Sequence, residues 1–361
     1  MKTRPKTWID DLKVYEPGLP IEEVARKLGF DSADEIIKLA SNENALGPSP
    51  EAIEAMRESA AEMHLYPDGS CHYLRHALAE RRGLDPGEIL MGNGSNELIE
   101  LLGHVYLEEG ANIVMSDQAF VVYRLVAGLF NAETIATPMV NFTHDLEAMA
   151  EAINERTRIV FIANPNNPTG TMVGREALDR FMERVPTEVL VVLDQAYVEL
   201  LPDEKRTNVL QYIREGRNVC VLRTFSKAYG LAGLRIGYAM APGPIIDLLG
   251  RTRQPFNANA MAQAAAIAAL DDIEHLDRTR KMVRDGLHYL TGEFERLGFG
   301  VVPSEVNFML VKVGEGRACF EALQKKGVVV RPMDGYGLPD HVRVTVGTRE
   351  ENEKLIKALE A

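Results

Sequence analysis

The sequence predicts an α/β fold, with a large domain whose mostly parallel sheet is covered by helices and a smaller α+β domain after it. Three observations carry this expectation. Short aliphatic runs, such as Val-Leu-Val-Val-Leu at 189–193, are apolar without a break, the pattern of strands buried on both faces. Each run leads through a polar loop into a stretch with helical spacing, so strand and helix alternate. Past about residue 255 the texture changes to long helices and a few strands. A chain of 361 residues exceeds one ordinary core and suits two domains or one large α/β unit.

The elements follow in order. Residues 20–28 have helical spacing and Gly29 stops them. Ser49-Pro50-Glu51 opens a helix to about Met63, 66–70 is a loop, and a helix runs over 73–82. Strands are expected at 88–91, 112–115, 158–162, 189–193 and 218–222, and helices at 96–107, 121–130 and 174–183. Then come an alanine-rich helix at 258–270, an amphipathic helix at 273–297 ended by Gly298, strands at 308–313, 328–331 and 342–346, and a C-terminal helix.

Composition narrows the function classes. Hydrophobic residues make up 46% and charged residues 26%, the balance of a globular protein. The net charge of -13 repels nucleic acid and anionic membranes, although a local arginine pocket can still hold an anion. Three widely spaced cysteines, Cys71, Cys220 and Cys319, suit a reducing cytosol better than a disulfide framework. The start of the sequence is basic but lacks the apolar stretch of a signal peptide, and no run is long enough to span a membrane.

In open α/β sheets, ligands gather at the carboxyl ends of the strands. The residues there are Gly92-Asn93-Gly94-Ser95-Asn96, the loop 164–170, Asp194-Gln195-Ala196-Tyr197 and Thr224-Phe225-Ser226-Lys227. A lysine in a crowded, partly desolvated site gives up its proton more readily and attacks carbonyls. Ser226 and Arg235 flank Lys227, and a hydroxyl and a guanidinium fork can both grip a phosphate. Such a lysine suits an aldehyde cofactor that carries a phosphate. Asp194 follows an apolar run and needs a cation if buried, which a protonated ring nitrogen supplies; a turn-capping aspartate is the plain alternative. Tyr197 and Asn167 can hydrogen-bond a ring hydroxyl, and Phe120 can either stack on a ring or pack in the core. Gly94-Ser95-Asn96 opens a helix whose free N–H groups favour an anion. Glu97 stands where a dinucleotide fingerprint needs its third glycine, and no P-loop occurs. His72 and His76 have i, i+4 spacing but no evident third metal ligand.

Together these segments resemble the fold type I pyridoxal-phosphate aminotransferases, almost end to end. The likeness also runs through Ser41-Asn42-Glu43-Asn44, Tyr66-Pro67-Asp68-Gly69, Gly233-Leu234-Arg235, Asn307-Phe308, 328–331 and 342–347. The resemblance implies that Lys227 condenses with the aldehyde of pyridoxal 5'-phosphate, that Asp194 faces the ring nitrogen, and that Asn167 and Tyr197 hold the ring oxygen. It implies that Ser95, Asn96, Ser226 and Arg235 bind the phosphate, and that Phe120 stacks on the ring. Tyr66 is implied to reach the phosphate of a neighbouring subunit, hence a homodimer with shared active sites. Arg343 is implied to bind the α-carboxylate of glutamate, Arg331 and Arg343 the phosphate of L-histidinol phosphate, and Tyr15 and Asn307 other substrate-side positions.

The domains expected are 1–46, an N-terminal arm and part of the small domain, 47–268, the cofactor-binding domain, and 269–361, the small C-terminal domain. The expected reaction is ping-pong amino transfer between L-histidinol phosphate and 2-oxoglutarate, in histidine biosynthesis and in the cytoplasm. The rivals are an aromatic amino-acid aminotransferase, a threonine-phosphate decarboxylase and a non-catalytic regulator. Three departures stand out: Gln195 where the family often has Glu, Phe120 in place of a common Tyr, and Ala45 in place of a common Pro. The first two are expected to tune cofactor electronics or substrate choice.

Overall fold

The computed structural model describes residues 4–12, 14 and 20–361. At its centre lies a seven-stranded sheet in the order Ile89–Gly92, Gly237–Met240, Val219–Thr224, Leu190–Asp194, Thr157–Ala163, Asn112–Ser116, Glu133–Thr137. Only Gly237–Met240 runs against its neighbours; the pairings from Val219–Thr224 out to Glu133–Thr137 are parallel. The apolar runs dictate this arrangement. Alternate residues of one strand point to opposite faces, so Val160 and Ile162 enter one core cluster while Ile159 and Phe161 enter another. A strand buried on both faces needs helices on both sides, and the clusters supply them: Leu74, Leu78 and Leu178 on one face, Leu98, Leu102 and Val126 on the other.

Local signals set the helix ends. The Ser49 hydroxyl accepts from the Ala52 N–H at 3.1 Å ahead of the helix Pro50–Ala60, with Pro50 in the first turn. The helix Ala260–Asp271 packs along it, and the small side chains Ala262, Ala265, Ala266 and Ala269 are buried there. Gly29 and Gly298 adopt positive φ, of 77° and 81°, where the preceding helices stop.

A second sheet is antiparallel throughout, in the order Gly300–Val302, Phe308–Lys312, His341–Thr345, Arg331–Pro332. The short strand Ile37–Lys38 pairs in parallel with Val328–Val329, and Thr345 N–H donates to the Leu39 carbonyl at 2.8 Å. The segment from Ile37 onward is thereby stitched to residues three hundred positions away in the chain and led towards the carboxyl ends of the large sheet.

The expected elements form within a residue or two, apart from the helix after Ser49, which ends at Ala60, and the strand expected at 328–331, which is split into Val328–Val329 and Arg331–Pro332 in different sheets. Others were not foreseen. Gly237–Met240 is wholly buried yet carries no β-branched residue, and Glu133–Thr137 is an edge strand with polar residues along it. The helix Gly243–Thr252 and the short strand Gly300–Val302 are also additional. Among the described residues, no helix is long and apolar enough to cross a membrane.

Candidate active site

The carboxyl ends of the central strands open into a cavity of about 510 Å³. Lys227, Asp194, Tyr197, Asn167, Ser95, Asn96, Phe120, Ser226, Arg235, Arg331 and Arg343 all line it. Residues separated by more than 240 positions in sequence thus face one space, because strand ends and the second sheet meet there.

Lys227 lies just past the end of Val219–Thr224, and its Nζ donates to the Ser41 carbonyl at 3.0 Å. Burial lowers its pKa to about 8, helped by the positive charges of Arg343 and Arg235 and opposed by Glu43. The amine is therefore neutral far more often at physiological pH than an ordinary lysine, as a nucleophile must be.

Asp194 ends its strand and is buried. Its Oδ1 accepts from the Ala196 N–H at 3.1 Å and its Oδ2 from the Tyr123 hydroxyl at 2.7 Å. Burial raises its pKa, and the Tyr123 hydrogen bond is the first effect that pulls it back down. Neither donor is a cation. The turn role and the ligand-facing role weighed from the sequence therefore coexist: one oxygen holds the turn, and the group still lines the cavity as a buried carboxylate suited to a cationic N–H.

On the opposite wall, the Arg343 guanidinium donates to Asn167 Oδ1 and to the Ala40 carbonyl, each at 2.6 Å, and lies 5.3 Å from the Phe308 ring centroid. The Tyr197 hydroxyl accepts from Asn42 Nδ2 at 3.0 Å, and burial pushes its pKa up to about 12, so it remains protonated. Arg331 stands directly opposite Arg343 in the antiparallel register. Two guanidinium groups on adjacent strands at one cavity wall favour an anion there.

A second anion-binding corner lies at the start of the helix Ser95–Tyr106. Gly94 precedes it with φ 76° and no side-chain cap, which leaves first-turn N–H groups for another acceptor. The Arg235 guanidinium crosses over Gly94 so closely that a Cβ there would sit 2.5 Å from Nη2. Arg235 Nη1 also donates to Ser226 Oγ at 3.4 Å. Helix N–H groups, a hydroxyl and a guanidinium can cradle a phosphate, and together with the Lys227 amine and the buried Asp194 carboxylate they fit pyridoxal phosphate.

Two expected site residues lie elsewhere. Tyr66 is 83% exposed and stacks on Phe256 with centroids 4.7 Å apart, outside the cavity. Asn307 is buried behind the wall and donates to the carbonyls of Asn42 at 3.1 Å and Glu43 at 3.2 Å. Tyr15 lies outside the described residues. Gln195 does not line the cavity either. Its Oε1 accepts from Arg223 Nε at 3.2 Å and Nη2 at 2.8 Å, in a buried network with Glu199.

Several cavity residues escaped the sequence reading: Tyr123, Tyr336, and the pair Lys38 and Glu43, joined at 3.0 Å. Tyr123 follows Phe120 by one helical turn, the one sequence signal that could have found it. Among the described residues, no group of three or more His, Cys, Asp or Glu could hold a metal.

The profile of the family described as "Aminotransferase class I and II" matches residues 34–359. The chain belongs to that family. A histidinol-phosphate aminotransferase of Akkermansia muciniphila is 48% identical to it over 97% of this chain and 96% of that protein. One of Moorella thermoacetica is 49% identical over 96% of this chain and 90% of that protein. Among solved structures, the histidinol-phosphate aminotransferase of Sinorhizobium meliloti in complex with pyridoxal-5'-phosphate superposes with a TM-score of 0.90 at 28% identity. That match covers 99% of this chain and 97% of that one. This aminotransferase thus has the α/β fold expected from its strand and helix pattern.

Proposed function

We propose that this aminotransferase exchanges an amino group between L-histidinol phosphate and 2-oxoglutarate with pyridoxal 5'-phosphate as cofactor, a step of histidine biosynthesis. The observation that carries the reading is the pair Arg331 and Arg343, opposite in register on the wall facing Lys227. A phosphate and a carboxylate each present two adjacent oxygens to a planar guanidinium fork, so one wall serves both substrates in turn. Relatives alike over nearly the whole chain carry the name of that activity.

In this reading Ser95, Asn96, Ser226 and Arg235 hold the cofactor phosphate, and Asp194 faces the ring nitrogen. Asn167 and Tyr197 hold the ring oxygen, and Phe120 covers the ring. When bound, the cofactor supplies an electron sink for the charge left on the substrate α-carbon. Lys227 would supply the amine for the cofactor aldehyde and the base for the proton on the α-carbon of the donor. Burial and the neighbouring arginines keep that amine neutral enough to do so. Arg343, pinned by Asn167 and the Ala40 carbonyl, orients the carboxylate of glutamate.

The exposed Tyr66 completes a partner's phosphate site in a homodimer, Tyr15 serves on the substrate side, and Asn307 serves it only indirectly, through the Asn42 and Glu43 carbonyls it holds behind the cavity wall. The divisions 1–46, 47–268 and 269–361 are proposed on the ground that every strand of the large sheet, Ile89–Gly92 to Gly237–Met240, falls in the second and every strand of the antiparallel sheet, Gly300–Val302 to His341–Thr345, in the third. A cytoplasmic location suits the three free cysteines. The test is a donor panel with 2-oxoglutarate. Turnover of histidinol phosphate ahead of phenylalanine and threonine phosphate supports the assignment; no turnover of histidinol phosphate rejects it.

A further inference from the structure

The second cavity, of about 300 Å³, shares Tyr336 with the first, and a third, of about 220 Å³, lies between Arg75 and Arg253, but neither holds a group aimed at a definable ligand. The Tyr123–Asp194 contact carries an inference further. Tyr123 has no exposed surface, stacks on Phe161 with centroids 4.4 Å apart and planes within 7°, and meets Phe120 edge-on at 5.7 Å. Phenylalanine would satisfy all of that packing. The hydroxyl adds one thing, a 2.7 Å hydrogen bond to Asp194 Oδ2.

We propose that Tyr123 is a positioning residue for Asp194: its O–H fixes the carboxylate and holds negative charge on it, so that a ring nitrogen opposite keeps its proton. This rests on the cofactor reading above. With the Ala196 N–H on Oδ1 and the Tyr123 O–H on Oδ2, both oxygens are anchored and the carboxylate cannot rotate freely. The two donors also decide which partner owns the shared proton. A carboxylate that already accepts two hydrogen bonds is a weaker base, so the proton stays on nitrogen. Burial and the nearby Asp194 charge both raise the Tyr123 pKa, so the phenol remains a donor throughout the working pH range. Its partner ring Phe161 lies on the parallel strand Thr157–Ala163, which fixes the phenol from behind.

The test loads wild type, Tyr123→Phe and Asp194→Asn with pyridoxal phosphate labelled with 15N at the ring nitrogen, and reads that nitrogen by solid-state NMR. Wild type is expected to show a pyridinium signal and Asp194→Asn a neutral pyridine. Tyr123→Phe is expected to move towards neutral pyridine, with kcat lower by about tenfold to a hundredfold, the size expected for losing a hydrogen bond to a charged group. Replacement of Tyr123 by fluorotyrosine keeps the shape, strengthens the donor and moves the signal the other way; it decides the matter where the phenylalanine variant does not fold. A packing role alone would lower the melting temperature and leave the nitrogen signal in place. An unchanged signal in both Tyr123 variants, with wild type holding its cofactor, overturns this assignment alone. A wild type that retains no cofactor overturns the cofactor reading and this assignment with it.

Discussion

Lys227 Nζ lies 3.0 Å from the carbonyl oxygen of Ser41, a contact between the large sheet's strand-end loop and the N-terminal segment stitched to the second sheet. The same amine is surrounded by Arg343, Arg235 and Lys38, with Glu43 the opposing charge. A lysine placed so has its neutral form favoured.

This sets a pH dependence. The pKa of Lys227 is lowered from 10.5 to about 8, and only the neutral amine attacks an aldehyde. Capture of pyridoxal phosphate by the cofactor-free protein should therefore accelerate as pH rises through about 8 and level off above it. Stopped-flow absorbance across pH 7 to about 11 checks this. A midpoint near 10.5 would mean that the amine is not desolvated.

The two arginines should separate the substrates. In Arg331→Ala, KM for histidinol phosphate is expected to rise by about tenfold, with glutamate altered by less than about threefold. In Arg343→Ala, kcat/KM for glutamate is expected to fall by roughly a hundredfold or more, the order seen when one member of a desolvated charge pair is removed. Steady-state kinetics with both donors gives the comparison, and equal losses in Arg331→Ala would place the donor phosphate elsewhere.

Gly94→Ala is expected to lose cofactor. The added methyl would lie 2.5 Å from Arg235 Nη2 in a backbone at φ 76°, so the guanidinium must leave the phosphate cradle. Equilibrium dialysis should show pyridoxal phosphate affinity reduced by about tenfold or more. Retained affinity would show that Arg235 does not bind the phosphate.

The buried network behind the site should govern stability more than chemistry. Arg223 is shared by Gln195 and by Glu199, whose carboxylate is 3.4 Å away and almost fully buried. Arg223→Met leaves that carboxylate to Arg82 alone, 3.6 Å away, and is expected to cost at most about 3–5 kcal/mol. Gln195→Glu puts a second carboxylate against the same fork, with kcat expected to change by less than about twofold because residue 195 is outside the cavity. Thermal melts paired with kinetics check both; a large change in kcat for Gln195→Glu would restore the electronic role expected from the sequence.

Much of this was legible in the sequence because burial on both faces imposes an unbroken apolar run, as at Leu190–Asp194 and Thr157–Ala163, and because the polar residues that end such runs face the ligand crevice. Lys227, Asp194, Tyr197 and Arg235 were accessible on that ground and by resemblance. Gly237–Met240 was not, since its Gly-Tyr-Ala-Met sequence is held by two neighbouring strands rather than by its own propensity. Tyr123, Lys38 and the Gln195–Arg223 contact were hidden because each depends on a tertiary neighbour far along the chain. Tyr197 gained its partner Asn42 in the same way.

Everything proposed depends on one amine. Borohydride reduction of the protein loaded with pyridoxal phosphate, followed by peptide mapping, tests it most directly. A single pyridoxyl label on Lys227 is expected, in the peptide that contains Ser226 and Tyr229. A label on another lysine, or none at all, would contradict it.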